Sequence, residues 1–385
     1  MILHICPPEN KFIKSLVERF EKIKPGFNRC VVIVSRHHNN PATNIDRQLI
    51  EYFGPLNEEI ERRIIRSDYD GVVVHTLTED IANLSLALTK HFNVLWRIWG
   101  TELLDILFPD IDLLLPHTQK LVHGRYDILN HLKKTFKPFY YDISGKRKTI
   151  MARGLRKLEL LKSVNYIATS TYTEYKLLKE KLPEIKAGYL PLNYRSLDLQ
   201  NLPAIKQRTN SDMIMVGHSS YPYHNHSDVF YQLRDSLFEG RITVPLSYGD
   251  PDYGKKLIRL GRTLFIDRIN FMTEFLKFDE YLEFIKKFDA FILNSKVQSG
   301  GGNIIYFLFQ GSKVFLREEN PAYQDYKEYG IKLFSIERDL QSGNMFFDDL
   351  SWHDKILNRE IIENLYNSER ERENVINVCK AFSVR

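Results

Sequence analysis

The chain has 385 residues, 43% hydrophobic and 27% charged, the balance of a folded, water-soluble protein too long for one ordinary core. Its 54 Lys and Arg against 49 Asp and Glu leave a formal net charge of only +5, which does not mark a nucleic-acid binder. No apolar run approaches the roughly 18 residues that cross a bilayer. The three cysteines, Cys6, Cys30 and Cys379, are odd in number and form no close pair, which argues against a disulfide framework or a zinc site.

Met1–Asn10 lacks the basic start and long apolar core of a signal peptide, so a cytoplasmic location is expected. Ile2–Ile5 reads as a strand, Lys11–Ile23 as a helix stopped by Pro25-Gly26, Cys30–Ser35 as a second strand and Leu56–Ile65 as a helix. A third strand follows at Gly71–His75, a helix at Glu79–His91 and a fourth strand at Asn93–Trp99. After a basic stretch, Val164–Thr169 and Ala187–Leu190 are expected as late strands of the same sheet, with Thr173–Lys181 helical between them. Apolar residues run on through these strands instead of alternating, as in parallel strands buried on both faces. Helix-length segments between them suit parallel crossovers. Pro203–Ser211 is short, polar and turn-rich, and reads as an interdomain linker.

From Asp212 the rhythm restarts. Strands are expected at Asp212–Val216, Arg241–Ser247, Thr263–Ile266, Asp289–Asn294, Lys313–Leu316 and Lys332–Phe334. Helices are expected at Ser227–Phe238, Asp252–Leu260, Asp279–Lys287, Ile304–Gln310 and Ala322–Tyr329. Trp352–Phe382 is charged and helical, without a strand signal. The fold class is therefore α/β: two Rossmann-like, doubly wound domains, residues 1–202 and 212–338, facing a cleft. A helical tail, 339–385, is expected to pack back across them.

The richest local signal is Met213-Ile-Met-Val-Gly-His-Ser-Ser-Tyr-Pro-Tyr-His-Asn-His-Ser-Asp228, an apolar strand running into Gly217, a small polar turn and a helix. Glycine lets the backbone approach a ligand closely, and a helix start offers unpaired N–H groups to an anion. Ser219, Ser220, Asn225 and His226 can add hydrogen bonds. The same segment also reads as an ordinary strand-to-helix turn whose Asn or Ser caps the helix. A second anion signal is Ser295-Lys-Val-Gln-Ser-Gly-Gly-Gly-Asn303, in which Ser299, Gly300, Gly301, Gly302 and Asn303 lead straight into an apolar helix. Such N–H groups can cradle phosphate, although no Gly-Lys-Ser/Thr ending makes this a Walker loop. Two loops of this kind, at carboxyl ends of strands in one sheet, stand where doubly wound folds bind ligands.

In the first domain, Trp96-Arg-Ile-Trp-Gly-Thr-Glu102 ends a strand at a glycine with a carboxylate just beyond. Glu102 reads either as a general base for an acceptor hydroxyl or as first-turn charge on a helix. Asp105, one turn later, could substitute or assist, and His75 is either a rim group or a satisfied structural histidine. Asp110-Ile-Asp112 and Asp250-Pro-Asp252 look like turn and cap acids, not ligands of a divalent ion. No metal and no cofactor is expected. Between His131 and Lys162, ten Lys or Arg meet only Asp142 and Glu159, with Phe136, Phe139, Tyr140 and Tyr141 interleaved. Lys146, Arg147, Lys148, Arg153, Arg156 and Lys157 in this stretch read either as a solvated face or as a patch docking on an anionic membrane surface. No nucleic-acid motif accompanies them.

At these residues the chain resembles the TDP-N-acetylfucosamine:lipid-linked-disaccharide N-acetylfucosaminyltransferases, the 4-alpha-L-fucosyltransferase family of enterobacterial common antigen assembly. The matching pieces are Trp96–Glu102, Val216-Gly-His-Ser-Ser with His224-Asn-His, and Val244-Pro-Leu-Ser-Tyr-Gly. To these add Leu276-Lys-Phe-Asp-Glu-Tyr-Leu, the glycine loop with Gln310, and Arg317-Glu-Glu-Asn-Pro. The resemblance implies a B-type glycosyltransferase, a deoxythymidine diphosphate sugar donor, an undecaprenyl-linked saccharide acceptor and peripheral attachment to the inner face of the bacterial inner membrane. Carried over by position, Gly217, His218, Ser219, Asn225 and His226 would line the donor diphosphate, and Gly300 and Gly302 would complete that site. Tyr248, Gly249, Glu319 and Asn320 would lie nearby. Glu102 stands where the family usually has aspartate, and Asn303 where it generally has a small hydroxyl residue. Two rivals stay open from the residues: a nucleotide-sugar epimerase on the same fold, and a non-catalytic glycan- or lipid-binding protein of an assembly complex.

Overall fold

The computed structural model describes residues 1–8, 11–34, 43–107, 113–124, 146–193, 204–207, 212–340 and 348–383; side chains at 11, 12, 105, 107 and 146–153 lie outside that description. Two compact units emerge. The first comprises residues 1–109, 138–197 and 366–385, and the second residues 110–137 and 198–365. The Asp110-Ile-Asp112 pair and residues 131–145 of the basic stretch fall outside the described residues.

The first unit holds a seven-stranded sheet of β1 (Ile2–Cys6), β2 (Asn28–Ile33), β3 (Ile50–Gly54), β4 (Gly71–Val74), β5 (Asn93–Arg97), β6 (Tyr166–Ala168) and β7 (Gly188–Tyr189). Their order is β3-β2-β1-β4-β5-β6-β7, and every pair is parallel. The centre is set by sequence: Ile-Leu-His-Ile-Cys in β1 and Gly-Val-Val-Val in β4 are buried at every position. Each fully buried Val, Leu or Ile there contributes roughly 1.5–3 kcal/mol. Strand β3 has no counterpart in the sequence reading. It is an edge strand whose residues are mostly half-buried, so its composition carries no continuous apolar run.

Helices α1 (Lys11–Ile23), α2 (Glu58–Arg66), α3 (Glu79–Leu88), the short α4 (Leu104–Leu107), α6 (Lys146–Ser163) and α7 (Tyr172–Lys181) belong to this unit, and α5 (Pro116–His123) to the other. Their starts follow local chemistry. Asn57 accepts from Ile60 N at 2.9 Å, and Thr171 and Glu174 form a reciprocal capping box.

The second unit holds six parallel strands, β8 (Met213–Val216), β9 (Arg241–Pro245), β10 (Ile269–Met272), β11 (Ala290–Leu293), β12 (Lys313–Leu316) and β13 (Phe334–Ser335), in the order β10-β9-β8-β11-β12-β13. Strand order reverses between β8 and β11, so the loops leaving these two strands flank the switch point. The helices are α5 (Pro116–His123), α8 (His226–Asp235), α9 (Pro251–Phe265), α10 (Phe278–Ile285), α11 (Gly301–Phe309), α12 (Pro321–Glu328), α13 (Ile336–Asp339) and α14 (Trp352–Tyr366).

One expected strand is replaced by helix. Thr263–Ile266 forms the end of α9 and the turn after it, and the strand begins at Ile269. Leu257, Gly261 and Phe265 are buried at four-residue spacing, so the helical period overrides the β-prone run Leu264-Phe265-Ile266.

Residues 113–124 belong to the second unit, where the Asp228 carboxylate accepts from the first N–H groups of α5, His117 N at 3.0 Å and Thr118 N at 2.9 Å. The tail divides between the units. In the second, Asn358 of α14 exchanges hydrogen bonds with Lys332. In the first, α15 (Ser368–Ser383) pairs Glu371 with Arg19 at 3.0 Å and lays Phe382 over Gly71, whose missing side chain leaves room for the ring.

Candidate functional site

The site is built where β8 and β11 end. After β8, Gly217 adopts φ +67°, and a side chain there would run into the His226 ring. Only glycine fits both the left-handed backbone and the space. The chain then turns through His218–Tyr221 and a short 3₁₀ segment, Pro222–His224, to Asn225, which is itself left-handed at φ 50° and ψ 41°. Asn225 is fully buried. Its amide donates to the carbonyls of Leu113 (3.0 Å), Tyr223 (3.2 Å) and Asn294 (3.0 Å), and its Oδ1 accepts from Leu115 N at 2.8 Å.

After β11, Asn294 donates back to the Asn225 carbonyl at 3.3 Å, and Asn320 spans the turn by donating to the carbonyls of Ser295 and Val297, both at 2.9 Å. Gly300 takes φ +60° and caps α11. The two loops touch. A Cβ on Gly300 would stand 2.6 Å from the His218 ring, and Ser299 Oγ lies 3.4 Å from His224 Nε2. The first-turn N–H groups of α11 have no intrahelical acceptor and so can receive an anion. Gly302 is exposed, and a Cβ added to it would meet no atom within 4 Å, leaving the helix start open.

Three histidines crowd this turn, His218 and His224 with ring centroids 4.3 Å apart and His224 and His226 5.5 Å apart. Burial, the first cause in each case, lowers His218 to about 4, His226 to about 3 and His224 well below its ordinary value. All three are neutral at pH 7. His224 Nδ1 faces the Ser219 carbonyl at 3.3 Å, which can only accept, so that nitrogen carries the proton and Nε2 accepts from Ser299. Burial and Tyr221 raise the Tyr248 hydroxyl to about 12, and it lies 2.8 Å from His218 Nδ1. Gly249 packs on Ser220 at φ +114°, and Ser220 N and Oγ both donate to the Tyr248 carbonyl, at 2.8 and 2.9 Å.

The sequence-selected residues thus divide. Ser219, Ser220, Asn225, His226 and Asn320 are buried and hold the loops in shape. His218, Gly249, Ser299, Gly300, Gly301 and Asn303 are half-buried and Tyr248 and Gly302 exposed, with Asn303 accepting from the Tyr281 hydroxyl at 2.8 Å. Glu319 points outward in an ion pair with Arg317 at 3.1 Å, and Arg317 also bonds Asn294 Oδ1 at 3.2 Å. Asp250 caps α9 through Asp252 N and Tyr253 N, and Asp252 pairs with Lys255 at 3.2 Å. Sequence reasoning missed Asn294, Asp228 and Tyr253, whose hydroxyl lies 3.3 Å from His226 Nδ1. Each is an unremarkable residue type at its position, and only three-dimensional proximity gives it a partner.

In the first unit, both Glu102 oxygens are engaged by backbone, accepting from Leu77 N at 2.6 Å and Trp99 N at 2.8 Å. Burial raises its pKa despite these two bonds. A carboxylate accepts about four hydrogen bonds, so roughly half its capacity stays open. His75 is fully buried and lies in an interior chain: Asn28 gives its amide hydrogens to Glu21 and the Lys24 carbonyl, so its Oδ1 faces His4 Nε2 at 3.4 Å. His4 Nδ1 then accepts from His75 Nε2 at 3.0 Å. Arg156 pairs with Glu79 at 2.7 Å on the first unit's surface, and Lys157 lies close enough to Glu102 to favour its ionised form. The side chains of Asp105, Lys146, Arg147, Lys148 and Arg153 lie outside the described residues.

Two parallel doubly wound sheets, the second with glycine-bearing loops meeting at its switch point, define the B-type glycosyltransferase fold. Solved structures of similar fold include HepE of Anabaena in complex with UDP and glucose, 12% identical over 99% of this chain and 100% of that one, with a TM-score of 0.60. A glycosyltransferase from Rickettsia africae is 13% identical over 100% and 98%, TM-score 0.64. Sucrose-phosphate synthase from Thermosynechococcus elongatus is 10% identical over 99% and 98%, TM-score 0.66. Residues 140–347 match the family described as 4-alpha-L-fucosyltransferase, glycosyl transferase group 56, and the chain belongs to that family. It is a hexosyltransferase.

Proposed function

We propose that the protein transfers a deoxyamino hexose such as N-acetylfucosamine from a nucleoside diphosphate donor, dTDP-linked, to a lipid-linked saccharide in bacterial surface polysaccharide synthesis. One observation carries the donor half of this reading: the Gly217 and Gly300 loops meet at the switch point of the second unit, with His218 against the start of α11. Fixed N–H dipoles there would stabilise charge developing on the departing diphosphate. UDP and glucose in the complex of the structurally similar HepE support a nucleotide-sugar donor. Glu102 would take the acceptor proton as that hydroxyl attacks the sugar carbon.

For the acceptor and membrane half, the support is the basic, aromatic run through residues 131–162. Among the described residues no helix is long and apolar enough to cross a membrane, and the reading is peripheral attachment to anionic lipid.

The test is thermal shift with dTDP, UDP and GDP against the matching monophosphates. A specific diphosphate raises the melting temperature by mass action. No shift with any diphosphate defeats the donor reading. Co-sedimentation with vesicles containing anionic lipid, lost at high salt, tests the membrane half separately.

A further inference from the structure

Beside the loops, one hydrogen bond sets the chemistry of a group facing them. His218 Nδ1 lies 2.8 Å from the Tyr248 hydroxyl. The other ring nitrogen, Nε2, is buried and has no hydrogen-bond partner among the described residues. It lies toward the start of α11, where a Cβ on Gly300 would stand 2.9 Å from it. The backbone of Tyr248 is itself held, its carbonyl accepting twice from Ser220, and its ring meets Tyr221 edge-on at 6.3 Å.

A neutral imidazole carries one proton, on one of two nitrogens, and the partner of the first decides the role of the second. If the tyrosine hydroxyl donates to a bare Nδ1, Nε2 bears hydrogen and adds a donor to the N–H groups of the α11 start. If Nδ1–H donates to the hydroxyl oxygen, Nε2 offers a lone pair to the same place. An anion at the helix start is attracted by the first arrangement and repelled by the second.

We propose that Tyr248 is a positioning residue, whose hydroxyl donates to His218 Nδ1 and fixes the tautomer that presents Nε2–H to the departing diphosphate. This rests on the diphosphate reading of the loops. As the sugar C1–O bond breaks, its electron pair passes to the diphosphate oxygen. His218 meets that charge with a hydrogen bond and keeps its proton. A histidine held near 4 is neutral at pH 7 and is suited to this, not to proton delivery.

The test uses the full chain, dTDP and UDP as probes, ¹⁵N-imidazole NMR for the tautomer and calorimetry for affinity. With diphosphate bound, His218 should be protonated at Nε2. Tyr248→Phe should populate both tautomers and weaken diphosphate binding about tenfold, the scale of one charge-assisted hydrogen bond. His218→Gln, whose amide nitrogen falls near the Nε2 position, should bind within about threefold of wild type. Adding Tyr248→Phe to that variant should change nothing further, whereas His218→Asn should lose the full tenfold. A structural role for the tyrosine would cost the same in both backgrounds. An Nδ1-protonated His218 with diphosphate bound, or Tyr248→Phe binding as wild type, overturns the proposal. A wild-type protein that binds neither dTDP nor UDP overturns the diphosphate reading first, and this proposal with it.

Discussion

Asn225 and Asn294 each donate a side-chain amide hydrogen to the other's backbone carbonyl, at 3.0 and 3.3 Å. The loop leaving β8 is thereby tied to the end of β11 across the switch point of the second sheet. Neither bond belongs to the sheet ladder. Together they fix the spacing of the two glycine turns, which strand pairing alone leaves open.

Asn225→Asp tests that tie. The variant keeps the acceptor for Leu115 N but turns a buried carboxylate toward three carbonyls. Leaving a buried charge so placed costs about 3 kcal/mol or more. Denaturant unfolding at pH 7 should show that loss, and a stability within about 0.5 kcal/mol of wild type would mean the tie carries no weight.

The glycines of the second loop should separate folding from binding. Gly302 has helical backbone and open space around it, so Gly302→Ala should stabilise the fold by about 0.5–1 kcal/mol. Its methyl would nonetheless stand at the open helix start and cut dTDP affinity by about tenfold or more. Gly300→Ala, at φ +60° and against His218, should instead destabilise by about 1–3 kcal/mol. Thermal melts and calorimetry read both, and undiminished dTDP binding by Gly302→Ala would place the diphosphate elsewhere.

Glu102→Gln should do two things. Gln has one acceptor oxygen for the two N–H groups of Leu77 and Trp99, so stability falls by about 1–3 kcal/mol. If Glu102 is also the base, turnover of the folded enzyme falls about 10²–10⁴-fold while donor affinity holds. Loss of stability with wild-type turnover would leave Glu102 as a cap only.

The histidines predict the pH response. His4, His75, His218, His224 and His226 are all held below the ordinary 6.5 by burial. Their contribution is complete above about 6.5, the unfolded value, and is lost as pH falls below it toward their lowered folded values, because the unfolded chain binds the protons first. Each adds up to about 1.4 kcal/mol per pH unit in that window, and neighbours in the cluster do not simply sum. Glu102 and Glu371, raised by burial, act in the opposite sense from their raised values down to 4.5. Denaturation at pH 7 and pH 5 should show the lower stability at pH 5. A flat or rising profile would contradict the neutral histidine cluster.

The two doubly wound sheets were legible in the order of residues, since continuous apolar runs such as Gly71–Val74 and Ala290–Leu293 can only be buried on both faces. The turn at Gly217 was legible too, because a glycine directly after an apolar strand marks a sharp change of backbone direction. Other features exist only once the chain is folded. Edge strand Ile50–Gly54 carries no pattern of its own and forms through pairing with β2. The capping of α5 by Asp228, the Asn225–Asn294 exchange and the burial of His75 all join residues that are distant along the chain. A residue type announces its capacity to donate or accept, but which partner it meets depends on how the backbone brings separate strands together.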